Sequence, residues 1–91
     1  MSETATDNKL AEMFRALGDQ TRFKLTKQLI DNRGICVSEL ANAVDISVAG
    51  VSQQLKVLEQ AGIISRVREG QKICYEVNAD DDDVSRLLKL I

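Results

Sequence analysis

Amide and basic side chains are the residues of this 91-residue chain best suited to a chemical task. Gln53 lies one helical turn before Lys56, and Arg66, Arg68 and Lys72 follow on either side of a glycine. A glutamine amide can hydrogen bond to adenine through two atoms in the major groove of DNA, whereas arginine and lysine contact phosphates. These residue types therefore favour nucleic-acid recognition.

Catalysis finds no support in the sequence. The chain has no histidine to serve as a general base, and it contains no glycine-rich phosphate loop or paired-carboxylate motif. Two cysteines, Cys36 and Cys74, are too few for a disulfide scaffold. The acidic run 80–83 is typical of a helix start, and a calcium or magnesium site there is a remote alternative. We expect no enzyme, no bound metal and no cofactor.

The formal net charge of −2 is unevenly distributed along the chain. Residues 47–72 carry four cations against two carboxylates, a net +2, whereas residues 73–91 carry two cations against five carboxylates, a net −3. Phosphate attraction depends on the local charge within a Debye length, so the acidic total does not exclude DNA binding. The polar N-terminus and the absence of a long apolar run predict a soluble cytoplasmic protein without a membrane span.

Periodic apolar residues and capping residues predict the helices that position these side chains. A first helix ends at Gly18, and Asp19 caps a second. Ser38 caps a third helix, and Ser47 caps a fourth that Gly62 closes. Residues 80–91 form the last helix, and residues 1–7 are predicted to be disordered.

Alternating residues predict two strands, Ile63–Arg68 and Lys72–Asn78, around a turn at 69–71. A short extended piece at 35–37 precedes the third helix. We expect one strand face to carry Arg66, Arg68, Lys72 and Cys74, and the other to carry Ile63, Val67, Ile73, Tyr75 and Val77. The predicted fold is mainly α with a small antiparallel β-hairpin, a single winged helix-turn-helix domain over 1–91 in the order α-α-β-α-α-β-β-α.

The fourth helix is predicted to present its polar side to DNA. Val51, Leu55 and Leu58 recur at i, i+4 and i+7 and must face the core. Gln53 then points outward, while Gln54 lies nearer the core boundary and is predicted to contact phosphate or to serve a structural role. The predicted DNA-binding residues are Ser47, Ala49, Gly50, Ser52, Gln53, Gln54, Lys56, Arg66, Arg68 and Lys72.

Several strings of the sequence resemble the ArsR-type winged-helix repressors. They agree with that family in order and spacing, and they lie at Phe14–Phe23, Ser38–Ala41, Val51–Leu58, Ala61–Ile64 and Arg68–Gln71. The resemblance implies a homodimeric transcriptional repressor that binds a palindromic operator in double-stranded DNA. The alternative is a winged-helix protein-interaction module that does not bind DNA, for which the net acidity is the best argument.

The chain departs from the metal-sensing pattern of that family. Family sensors often carry a Cys-Val-Cys string at the third helix, but here Ser38 replaces the second cysteine. Other members bind zinc through histidines on the last helix, and this chain has none. Gln20 replaces a common proline, which a helix start tolerates. We therefore expect no tight response to zinc, cadmium or arsenite.

Two further expectations concern pairing within and between chains. In winged-helix folds the short strand before the third helix pairs with the hairpin, so Cys36 and Cys74 are candidate cross-strand neighbours. They form either a redox pair or two unreactive buried thiols. Apolar stripes on the first and last helices predict a two-fold dimer interface. It comprises Leu10, Met13, Phe14, Leu17, Val84, Leu87, Leu88 and Ile91.

Overall fold

A computed structural model describes the backbone of residues 3–91 and the side chains of residues 7–91. Within that part the predicted order of helices and strands is confirmed. The elements are α1 (Glu3–Leu17), α2 (Gln20–Asp31), β1 (Ile35–Cys36), α3 (Val37–Val44), α4 (Val48–Gln60), β2 (Ile64–Glu69), β3 (Lys72–Val77) and α5 (Asp82–Leu88). The predicted disordered tip at 1–7 is helical from residue 3 onward, and residues 1 and 2 lie outside the described residues.

Helix caps follow the sequence prediction at Asp19 and Gly62 but not at Ser38. The Asp19 carboxylate accepts a hydrogen bond from the Arg22 N–H, and Gly62 adopts the positive φ expected after α4. The third helix, however, begins two residues earlier than predicted, because its N-cap is Cys36 rather than Ser38. Cys36 is the last extended residue of β1, and its backbone N–H donates to the Glu39 carboxylate.

The three strands form an antiparallel sheet in the order β1-β3-β2. Arg66 pairs with Tyr75 and Arg68 with Ile73, and directly opposite residues share a face. The predicted assignment of strand faces is therefore wrong. The predicted turn has three residues, 69–71, but the observed turn has two, because Glu69 pairs with Lys72 and Gly70 adopts a positive φ. A turn shorter by one residue shifts the register by one, which exchanges the faces of one strand relative to the other.

One apolar cluster connects the helices to the sheet. It contains Leu25 and Leu29 of α2, Leu40 of α3, and Ile63 and Ile64 at the start of the hairpin. Packing on one cluster holds α4 beside the sheet, which fixes the geometry of the candidate site. Within residues 3–91 no helix has both the length and the apolar composition needed to span a bilayer.

Candidate nucleic-acid interface

A tight turn orients α4 against α3. Asp45 ends α3 in the left-handed conformation, which aspartate tolerates better than most residues. The Ser47 hydroxyl then accepts a hydrogen bond from the Gly50 N–H at 3.1 Å and caps α4, as predicted. A Cβ at position 50 would lie 3.0 Å from the Ile46 side chain and 3.1 Å from the Ser47 hydroxyl. Glycine at this position therefore lets the turn close on the helix start.

The two sides of α4 differ as the helical spacing predicts. Val51, Leu55 and Leu58 are fully buried against the core. Gly50 is half-buried, whereas Ser47, before the helix, is exposed. The exposed side chains of the helix start and middle are Val48, Ala49, Ser52, Gln53 and Lys56. This side of α4 presents small and amide groups without an acidic neighbour up to Lys56.

Gln54 is engaged within the protein. Its amide oxygen accepts a hydrogen bond from Arg22 Nη1 at 2.9 Å, and Arg22 Nε donates to the Ala16 carbonyl at 2.7 Å. Arg22 thus connects the end of α1 to α2 and α4. This placement supports the structural role for Gln54 rather than a contact with DNA.

The wing, formed by β2 and β3, contributes the basic side chains. Arg66 Nη2 lies 3.5 Å from the Glu59 carboxylate of α4, and its guanidinium lies 5.9 Å from the Tyr75 ring centroid. Arg68 and Lys72 are exposed near the hairpin turn. Arg66 is therefore held against α4, whereas Arg68 and Lys72 extend toward solvent where a phosphate can reach them.

A cleft lies between α4 and the wing, which we call the wing groove. It consists of two adjoining hollows that share Val37, Ser52 and Ile73. One hollow is also lined by Gln53, Lys56, Arg66 and Tyr75, and the other by Cys36, Val48 and Lys72. The groove therefore brings together predicted DNA-binding residues of the helix and of the wing.

The acidic run 80–83 has a structural task at the start of α5. The Asp81 carboxylate accepts hydrogen bonds from the backbone N–H groups of Asp83 and Val84 and lies 3.1 Å from Lys9 Nζ. The Val84 N–H, followed by Lys9, lowers the pKa of Asp81. In residues 7–91 no three His, Cys, Asp or Glu side chains come together in a group that would hold a metal ion.

Cys36 and Cys74 are cross-strand neighbours, as predicted. They face each other in the β1–β3 register and are joined by a disulfide with an Sγ–Sγ distance of 2.02 Å. Cys74 is fully buried, and Cys36 is almost fully buried. The bond therefore connects the residue that caps α3 to β3, the central strand of the sheet and one of the two strands of the wing.

The apolar stripes of α1 and α5 are divided between the core and the surface. Met13 and Val84 are buried in the core of the chain itself, and Leu87 is only 7% exposed. Phe14 is 56% exposed, and Leu90 beyond α5 is 78% exposed. The half-buried members of the predicted interface are Leu10, Leu17, Leu88 and Ile91.

Sequence reasoning missed three residues of this surface. Val48 lies three positions before the buried Val51, so its spacing indicates a core residue, yet as the first residue of α4 it is 52% exposed. Its methyl groups are suited to contact a thymine methyl group. Arg22 and Glu59 are positioned by contacts with other elements: Arg22 with Gln54 of α4, 32 positions away, and Glu59 with Arg66 of β2.

The helix-turn-helix of α3 and α4, followed by a basic hairpin, defines a winged helix-turn-helix protein. Residues 19–66 match the family described as "Bacterial regulatory protein, arsR family". The chain is also 34% identical over 83 residues to an HTH-type transcriptional regulator of Methanocaldococcus jannaschii, covering 91% of each chain. This chain belongs to the arsR family of bacterial regulatory proteins, whose members are transcriptional regulators.

Two further comparisons support this assignment. The arsenical resistance operon repressor of Bacillus subtilis is 30% identical over 90 residues, which is 97% of this chain and 84% of that protein. The homodimeric winged helix-turn-helix DNA-binding domain of a possible ArsR-family regulator from Mycobacterium bovis superposes with a TM-score of 0.85 at 25% identity, over 99% of this chain and 82% of that one. Cadmium-resistance regulators of Staphylococcus aureus and Listeria innocua are longer, and the chain spans 64% and 52% of their length.

Proposed function

We propose that this protein is a homodimeric transcriptional repressor that binds a palindromic operator in double-stranded DNA. The observation that carries the proposal is the exposed side of α4, where Gln53 and Ser52 lie beside a wing with Arg68 and Lys72 near its tip. A helix fits the major groove, and the wing reaches the adjacent backbone. A protein with this task works where the genome is, so we place it in the cytoplasm.

Selection from a random DNA pool tests sequence recognition. The protein is incubated at low salt with random duplexes, bound DNA is amplified over several rounds, and the selected sequence is compared with a scrambled duplex of equal composition. We expect a palindromic sequence that binds at least about 10³-fold more tightly than the scrambled duplex. Equal binding to both duplexes, or none, would favour the alternative of a protein-interaction module.

The location of the acidic groups weakens the argument for that alternative. Asp81 and Asp83 pair with Lys9, and Asp81 also caps α5. Glu59 of α4, which lies next to the wing, is paired with Arg66. These three carboxylates are therefore engaged within the fold, whereas Arg68 and Lys72 are exposed near the wing tip, where phosphates can reach them.

The surface left exposed by α1 and α5 supports the homodimer. Phe14 and Leu90 are large apolar side chains that the chain does not cover, and half-buried Leu10 and Leu17 share α1 with Phe14. The Mycobacterium bovis domain is homodimeric. A two-fold axis through this surface would place two copies of α4 about 34 Å apart, one turn of DNA.

We expect the double variant Phe14→Glu/Leu90→Glu to be a folded monomer, because the charges oppose burial between two chains. Sedimentation velocity at micromolar concentration measures the mass, and circular dichroism measures the fold. The matched control is Ile30→Glu, which places the same charge at an exposed apolar residue of α2. A dimeric double variant, or a monomeric control, would contradict this interface. Leu87 is unsuitable for the test, because a charge there enters the core of the chain.

A further inference from the structure

The disulfide lies at the junction between the two parts of the candidate DNA surface. Cys36 caps α3, the first helix of the helix-turn-helix. Cys74 belongs to β3, the strand of the wing that pairs with β1. Strand β1 has only two residues, and its two register pairs are Ile35 with Tyr75 and Cys36 with Cys74. The bond therefore adds a covalent link between the wing and the start of α3 to the packing of both on the apolar cluster.

The two sulfurs differ in access. Cys74 is fully buried, with no exposed surface in the fold. Cys36 lines the wing groove beside Val48, Ser52 and Lys72. A small thiol that enters the groove therefore reaches the disulfide from the side of Cys36. The same groove is the one that the proposed function assigns to DNA.

We propose that Cys36 and Cys74 form a thiol–disulfide redox site. Bound operator DNA blocks access to this site, and the redox state of the site sets the affinity for that DNA. The proposal rests on the proposed function, since it concerns the same surface. Its reactants are small thiols and peroxides. Disulfides in reducing compartments are usually transient and redox-sensing, which fits a bond placed at a binding surface.

Reduction runs through a mixed disulfide. The thiolate of a small thiol attacks Cys36 Sγ, a new S–S bond forms there, and Cys74 leaves as a thiolate that takes up a proton. A second thiolate attacks the sulfur of the bound small molecule, which departs as its own disulfide and releases the thiolate of Cys36. Reoxidation by hydrogen peroxide removes two electrons and two protons from the thiol pair and yields two water molecules.

Preorganisation of the binding surface determines which redox state binds DNA more tightly. The disulfide holds the wing beside α4 before DNA arrives, so less freedom is lost on binding. In the reduced form the covalent link is lost, and β1 and β3 keep their two register pairs and their packing on the apolar cluster. The disulfide form should therefore bind DNA more tightly, and by linkage DNA favours the disulfide by the same factor.

The test uses the full chain and its selected duplex. The first measurement is the rate at which dithiothreitol reduces the bond. Maleimide labels the thiols that are released, and mass spectrometry measures the labelled fraction over time. At a DNA concentration of about 10 times Kd, we expect this rate to fall roughly 10-fold, and a scrambled duplex that does not bind should leave it unchanged. An equal rate with and without selected DNA would overturn the proposal.

The second measurement is the Kd for the selected duplex, determined for the disulfide form and for the reduced form. Peroxide is then added to the reduced protein, and the Kd is measured again to show that the affinity of the disulfide form returns. We expect the disulfide form to bind about 5-fold more tightly or better. The double variant Cys36→Ala/Cys74→Ala, with its fold checked by circular dichroism, should show one Kd under both conditions. Equal affinities of the two states, or tighter binding by the reduced form, would overturn the redox proposal while leaving DNA binding intact. A protein that binds no duplex in either state would overturn the proposed function as well.

Discussion

Replacing Gln53 by alanine is expected to remove about 1–3 kcal/mol of operator affinity and to relax the preference for one base pair. Gln53 is exposed near the start of α4, opposite the buried Val51–Leu55–Leu58 side, where the amide can reach a base edge. Titrating the variant against the selected duplex and against single-base variants of it measures both effects. The loss should be largest on the selected sequence and small on random DNA.

Lys72→Ala is the matched control for that experiment. Lys72 is exposed beside the hairpin turn, where it can reach the DNA backbone. Its loss should weaken selected and random DNA alike and reduce the slope of log affinity against log salt by about one. If Gln53→Ala loses the same affinity on every duplex, α4 does not read bases through this residue.

Leu55→Ala is expected to lower the free energy of unfolding by about 2–5 kcal/mol. Leu55 is fully buried in the apolar cluster, so truncation removes packed atoms and leaves a cavity behind α4. A small domain is stabilised by only about 5–15 kcal/mol, so the loss is a large share of the total. Urea unfolding at equal protein concentration and in the same redox state measures it.

Val57→Ala is the control on the same helix, two positions further on. Its side chain is 38% exposed, so truncation should cost roughly 1 kcal/mol, on the basis of about 0.8 kcal/mol per buried CH₂ group. Equal losses in the two variants would show that the buried side of α4 is not the one described. Together the two variants test which side of the helix is left for DNA.

Local sequence rules predicted most of the helical framework. Asp19, Ser47 and Gly62 stand where capping chemistry requires them, and the spacing of Val51, Leu55 and Leu58 fixed the orientation of α4. These features depend on neighbours within about two helical turns. Spacing alone is therefore sufficient to find them.

Features that depend on distant partners were not predictable in the same way. The observed turn is one residue shorter than the predicted turn, and this difference changed which side chains of the two strands share a face. Successive side chains of a strand alternate between its two faces, so a shift of one residue is sufficient. Met13 and Leu87 belong to apolar stripes, and only the packing of α1 and α5 on the same chain decides that they are buried there. The hydrogen bond from Arg22 to Gln54 joins residues 32 positions apart, which no local pattern indicates.

The Cys36–Cys74 bond also makes the chain topologically a ring with two tails. The ring contains α3, α4, β2 and the first half of β3, whereas α1, α2 and α5 lie outside it. In the oxidised protein the unfolded chain still contains this loop, whose ends are 38 positions apart in the sequence. The loop lowers the entropy of the unfolded state, which stabilises the folded state by about 4 kcal/mol. A protease that cuts the backbone at the exposed Gly70 turn therefore leaves the DNA-reading segment as one covalent molecule, until the bond is reduced.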